Sequence, residues 1–111
     1  MEYSKKKPMP PDPLTHITIT DYPKQVNVRE TFAIHGFLMR GDSGVGNAQI
    51  KHYDNGNLLW TVTNNTDSSF TDTFHFDQQG THKIAYIFQG SAGPNVVYLS
   101  GYILQIHSIN K

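Results

Sequence analysis

A chain of 111 residues has room for one domain, and its nine basic and nine acidic side chains cancel to no net charge. That balance excludes a nucleic-acid binder relying on a basic field to displace counterions from phosphate, and no apolar stretch approaches the roughly 18 residues of a membrane-spanning helix. The absence of cysteine removes a disulfide framework, a cysteine zinc site and a thiol nucleophile, and leaves a polar chain in which Ser, Thr, Asn and Gln supply 31 residues.

Residues 1–13 hold Lys5, Lys6 and Lys7 and four prolines, Pro8, Pro10, Pro11 and Pro13. Proline fixes φ and lacks an N–H, so this stretch predicts a flexible, solvated arm. No apolar stretch follows the lysines, so it is not a signal peptide. Residues 14–111 form the domain proper. Residues 14–20 alternate and are β-branched, which predicts a half-buried strand. A turn at residues 21–24 leads to a second strand over 26–39, with Phe32, Ile34, Gly36 and Leu38 at period two. A glycine-rich loop over 40–47 follows. Residues 48–53 and 58–63 flank Asn55-Gly56, a hairpin signal because both residues tolerate positive φ. Beyond a turn at 64–68, Phe70, Asp72, Phe74 and Phe76 share one parity. A turn at 77–80 then leads to a strand over 81–88, a Gly/Pro loop over 89–95 and a last strand over 96–107. No segment carries a helical apolar period. Seven short strands with turn chemistry between them predict an all-β antiparallel sandwich. Lys51, Lys83 and Asp72 are expected to blunt its edges.

An ordered series of signals over residues 17–106 resembles the immunoglobulin-like repeat modules of bacterial and archaeal surface proteins, and cell-adhesion-related sandwiches of similar build. Val26-Asn27-Val28-Arg29-Glu30-Thr31-Phe32-Ala33-Ile34-His35-Gly36 is similar to their opening pattern, except that Arg29 stands where glycine is usual. Gly44-Val45-Gly46-Asn47-Ala48-Gln49-Ile50 through Asn55-Gly56 is the best-matching stretch, and Gly80-Thr81-His82-Lys83-Ile84 continues the series. The resemblance implies an immunoglobulin-like β-sandwich and a spacing, adhesion or assembly role in an extracellular, cell-surface or virion-surface protein; it implies no chemistry. Two departures stand out. Asp72 occupies a core parity where the modules carry an apolar residue, so it is expected near a strand edge or facing Lys or His, and His52 stands where leucine or valine is usual.

Six histidines (His16, His35, His52, His75, His82 and His107) are scattered one per strand, never closer than the seven residues from His75 to His82. They carry no metal-ligand spacing. A cross-strand cluster of His75, His82 and Asp72 depends on register. Asp42, Asp54, Asp67 and Asp77 fit Asx turns better than calcium loops. No catalytic motif is present and only Glu2 and Glu30 are glutamates, so no catalytic residue, metal or cofactor is assigned and the protein is not expected to be an enzyme. The partner is expected to be a protein or glycan at a surface, and the module a monomer. Two binding features remain. Arg40-Gly41-Asp42 spells an integrin-recognition triplet, which needs exposure at a loop tip. Trp60 and Tyr53 flank the Asn-Gly hairpin and could stack against sugar rings, giving a carbohydrate-binding module of a secreted enzyme as the alternative function; Trp60 in the core would leave the surface-module reading. Asn64-Asn65-Thr66 is a glycosylation sequon, which would place that turn at the surface.

Overall fold

The structure is a computed structural model and describes residues 15–93 and 96–110; the predicted arm over 1–13 lies outside them. Among the described residues nine strands run in the order β1 (Thr15–Asp21), β2 (Gln25–Asn27), β3 (Phe32–Arg40), β4 (Ser43–Gly44), β5 (Gln49–Asp54), β6 (Asn57–Thr63), β7 (Ser69–Phe74), β8 (Gly80–Gly93) and β9 (Val96–Ile109). They make two sheets. In one, β3 is flanked by β1 and β7, with the short β4 on its end; the other has the order β2-β9-β8-β5-β6. The chain crosses between sheets from β1 to β2, from β2 to β3, from β4 to β5, from β6 to β7 and from β7 to β8. The first, second and fifth long strands thus share one sheet and the third, fourth, sixth and seventh the other, as in an immunoglobulin-like Greek-key sandwich. All pairings are antiparallel except β2 on β9.

The core follows strand parity. Ile17, Ile34, Leu38, Phe70 and Phe74 from one sheet meet Ile50, Ile84, Tyr86, Leu104 and Ile106 from the other. Polar residues alternate with these along β1 and β7 and face outward, whereas the outward row of β9 includes the exposed Leu99 and Ile103. Gly36 pairs with Phe70 on β7, whose ring lies across it. A Cβ at Gly36 would sit 2.8 Å from that ring and 2.6 Å from the Thr18 carbonyl oxygen. The Asn55-Gly56 hairpin forms as expected, with φ of 50° and 89°, both positive as a type I′ turn demands.

Three details depart from expectation. The second predicted strand is split into β2 and β3 by a turn in which Arg29 takes φ 69°. Its N–H donates to the Phe76 carbonyl at 2.7 Å. The glycine usual at that position in similar modules would meet this left-handed backbone without a Cβ penalty. The predicted loop over 89–95 is strand through Gly93, because β8 and β9 stay paired to that point, with a register shift between Ser91 and Gly93; residues 94–95 lie outside the described part. Lys51 and Lys83 do not guard an edge: β5 and β8 lie inside their sheet, and among the described residues the edges of that sheet are β2 and β6. Asp72 does lie on β7, which pairs only with β3, but its side chain points into the core.

Candidate functional site

Pairing puts three hydrogen-bond donors in one row on the inner face of the larger sheet. His52 on β5 stands between Trp60 on β6 and Tyr86 on β8. Asp72, projecting from β7 of the opposite sheet between Phe70 and Phe74, meets all three. Its Oδ1 accepts from the Trp60 indole at 2.9 Å, and its Oδ2 accepts from Tyr86 at 2.6 Å and from His52 Nδ1 at 2.7 Å. A carboxylate only accepts, so the imidazole proton is on Nδ1. A buried carboxylate would cost several kcal/mol if left unpaired; here three charge-assisted bonds answer it, and they clasp one sheet to the other. Burial, the adjacent Asp72 charge and the hydrogen bond to it hold the Tyr86 phenol well above the usual tyrosine range. The His52 ring stacks on Trp60 at 4.1 Å between centroids and meets Phe74 edge-on at 4.8 Å. Asp72 thus meets both expected settings, facing a histidine from a strand at the edge of its sheet.

A second polar tier lies one step toward the end of the sandwich. His82 on β8 contacts Asp54 Oδ2 through Nδ1 at 2.9 Å, and its Nε2 lies 3.1 Å from both the Gln78 carbonyl and Ser108 Oγ. The ring stacks on Phe76 at 3.7 Å. Two buried polar atoms of these tiers have no hydrogen-bond partner: His52 Nε2 and Asp54 Oδ1. They belong to residues that line a cavity of about 420 Å³ at the open side of the sandwich, together with Trp60, Phe74 and Phe76. A larger cleft of about 710 Å³ shares Trp60 and Phe74 and continues between β6 and β7 along Val62, Thr71 and Thr73.

The candidate residues distribute as follows. Trp60 is half-buried on the cleft wall, one face against His52 and its N–H taken by Asp72. Tyr53, one residue from His52, lies on the outer face in a row with Leu58, Ala85 and Ile103. The two aromatics are therefore on opposite faces of the sheet and do not form a joint platform. Arg40 ends β3, Gly41 turns with φ 61°, and Asp42 is exposed at the tip of a two-residue hairpin into β4. His75, His82 and Asp72 do not converge. They take separate partners, Asp77, Asp54 and His52, and no group of three metal-ligating side chains forms among the described residues. Asp67 is an Asx-turn residue whose Oδ1 accepts from Ser69 Oγ at 2.6 Å and from the Ser69 N–H at 3.0 Å; these bonds hold its carboxyl below the usual range. The sequon turn does lie at the surface, with Asn65, Thr66 and Asp67 exposed, but its acceptor residue does not. Asn64 is buried, donates to the Val45 and Ser68 carbonyls and accepts from the Ala48 N–H, so it staples a turn instead of presenting an acceptor amide.

No family model matches the chain, and no similar curated protein is found. Among solved structures, it is similar to the solution NMR structure of a CARDB domain from Pyrococcus furiosus, with a TM-score of 0.58 and 17% identity, covering 91% of this chain and 99% of that domain. At that identity the likeness establishes a shared fold, an immunoglobulin-like β-sandwich.

Proposed function

We propose that this chain is a non-catalytic immunoglobulin-like module that spaces and presents binding surfaces within a larger extracellular, cell-surface or virion-surface protein. The observation that carries the reading is the Asp72 clasp. The most deeply buried ionisable side chains are committed to tying two sheets together, which suits a domain that transmits load without a disulfide, and the likeness to a CARDB domain agrees with a role as one module among others. The test is to pull the domain between two marker domains of known unfolding force. Wild type is expected to extend in one cooperative event, and Asp72→Asn at a lower force. Gradual extension of wild type before the markers respond would remove the spacing role.

A second reading adds adhesion. The exposed Asp42 at a two-residue hairpin tip supports recognition of Arg40-Gly41-Asp42 by an integrin-type receptor. Integrin-bearing cells should attach to surfaces coated with wild type and not with Asp42→Glu; equal attachment would discard this reading. A carbohydrate-binding role would rest on Trp60 alone, and a glycan that shifts its emission would support it.

A further inference from the structure

Among the described residues β6 pairs only with β5 and closes one edge of the larger sheet. Its seven residues, Asn57 to Thr63, contain no charge and no proline. Natural edges are usually blunted by lysine, proline, bulges or short length; β6 has one register shift against β5 at Leu59 but neither lysine nor proline, and beyond that shift residues 60–63 offer a template for one more strand. The cavity beside it carries acceptor groups. Asp54 and Asp77 lie in its lining, each with one carboxylate oxygen taken by a histidine, His82 and His75; no lysine or arginine lines it, and Trp60, Phe74 and Phe76 supply apolar walls. The unpartnered atoms add direction. His52 is fully buried, and in its neutral form, with the Nδ1 proton donated to Asp72, its orphan Nε2 offers a lone pair; Asp54 Oδ1 offers another. The group that answers two acceptors, nearby carboxylates and aromatic walls carries several N–H donors, a positive charge and an apolar stem. Lysine and arginine side chains have that chemistry.

We propose that the β6 edge accepts an extended strand of a partner protein, adding a sixth strand to this sheet and inserting one basic side chain between the sheets toward His52 and Asp54. Main-chain pairing supplies the contact along the edge, and the alternation of side chains sends only every second residue inward, so a single basic position sets specificity. This site is separate from the load-bearing role and does not depend on it.

Trp60 is the single tryptophan, so its emission reports on the cleft. The domain is titrated with a blocked seven-residue peptide of alternating Thr and Val carrying a central lysine. Three comparators accompany it: the same peptide with norleucine at the centre, the same peptide N-methylated along one edge, and blocked lysine amide alone. The lysine peptide is expected to give a saturable change. The norleucine and N-methylated peptides should bind at least about tenfold more weakly, and lysine amide should not saturate over the same range. Asp54→Asn should weaken the lysine peptide by a similar factor without changing norleucine binding; should that variant fail to fold, the peptide comparison decides. Equal binding of the norleucine peptide would overturn the basic pocket. Equal binding of the N-methylated peptide or of lysine amide would overturn strand addition. No binding to a folded, cooperatively melting domain would overturn the proposal entirely while leaving the pulling experiment unaffected. Self-association of the domain that blocks the peptide would assign the edge to a second copy and overturn it equally.

Discussion

Asp72 receives three donors from three different strands, so removing its side chain strands the Tyr86 hydroxyl, the Trp60 indole and His52 Nδ1 together. Breaking a buried ionic cluster by deleting one partner costs about 3–5 kcal/mol, a large part of the roughly 5–15 kcal/mol that holds a domain of this size folded. Asp72→Ala is therefore expected to lower the urea midpoint sharply, and an unchanged midpoint would show that the clasp is not a structural element. Tyr86 adds a pH dependence whose sign is fixed by the direction of its shift. The folded protein keeps this phenol protonated, while the unfolded chain releases the proton near the ordinary value of about 10. Its contribution is complete below that pH and falls as pH rises above it. The melting temperature of wild type should drop more steeply above about pH 10 than that of Tyr86→Phe; parallel profiles would contradict the burial of this group. The existence of an unusual site was legible here, because Asp72 and His52 both stand at core parities where similar modules carry apolar residues. Their partnership was not. It depends on which strands cross the sandwich, and an alternating pattern says which way a side chain points without saying what it meets.

At the scale of elements, alternation and turn chemistry carried most of the information. The Asn55-Gly56 turn sets the first β5–β6 pairs through positive φ at both positions, before the register shifts at Leu59, and the phenylalanines of β7 reach the core at the predicted parity. The misreadings have physical causes. The break between β2 and β3 turns on Arg29, a residue whose left-handed conformation no propensity announces, and the glycines near the end of β8 suggested a loop where continuous pairing with β9 prevails. Edge positions were equally hidden, since strand order is not written in strand sequence. Gly36 gives a test at this scale. An added methyl would meet a backbone oxygen of β1 that cannot swing aside, as well as the Phe70 ring. Gly36→Ala should destabilise by about 1–3 kcal/mol, measured by chemical denaturation, whereas a neutral effect would mean that β1 and β3 can separate at this point.

For the molecule as a whole, a neutral polar surface around a modest core has few means of staying assembled. It has no cysteine, and its two sheets are joined at their centre by hydrogen bonds instead of sulfur. Those bonds have a geometric requirement that apolar contacts lack: His52, Trp60 and Tyr86 become aligned when their strands pair, but Asp72 reaches them only after the second sheet has closed to hydrogen-bonding distance. The clasp should therefore be absent from the folding transition state and present in the native state. Interactions formed that late slow escape from the native basin without hastening arrival. Stopped-flow measurements on Asp72→Ala should find refolding nearly as fast as wild type and unfolding accelerated by almost the whole change in stability. The lifetime of the folded module would then be set by one carboxylate, and its speed of assembly by the strands around it.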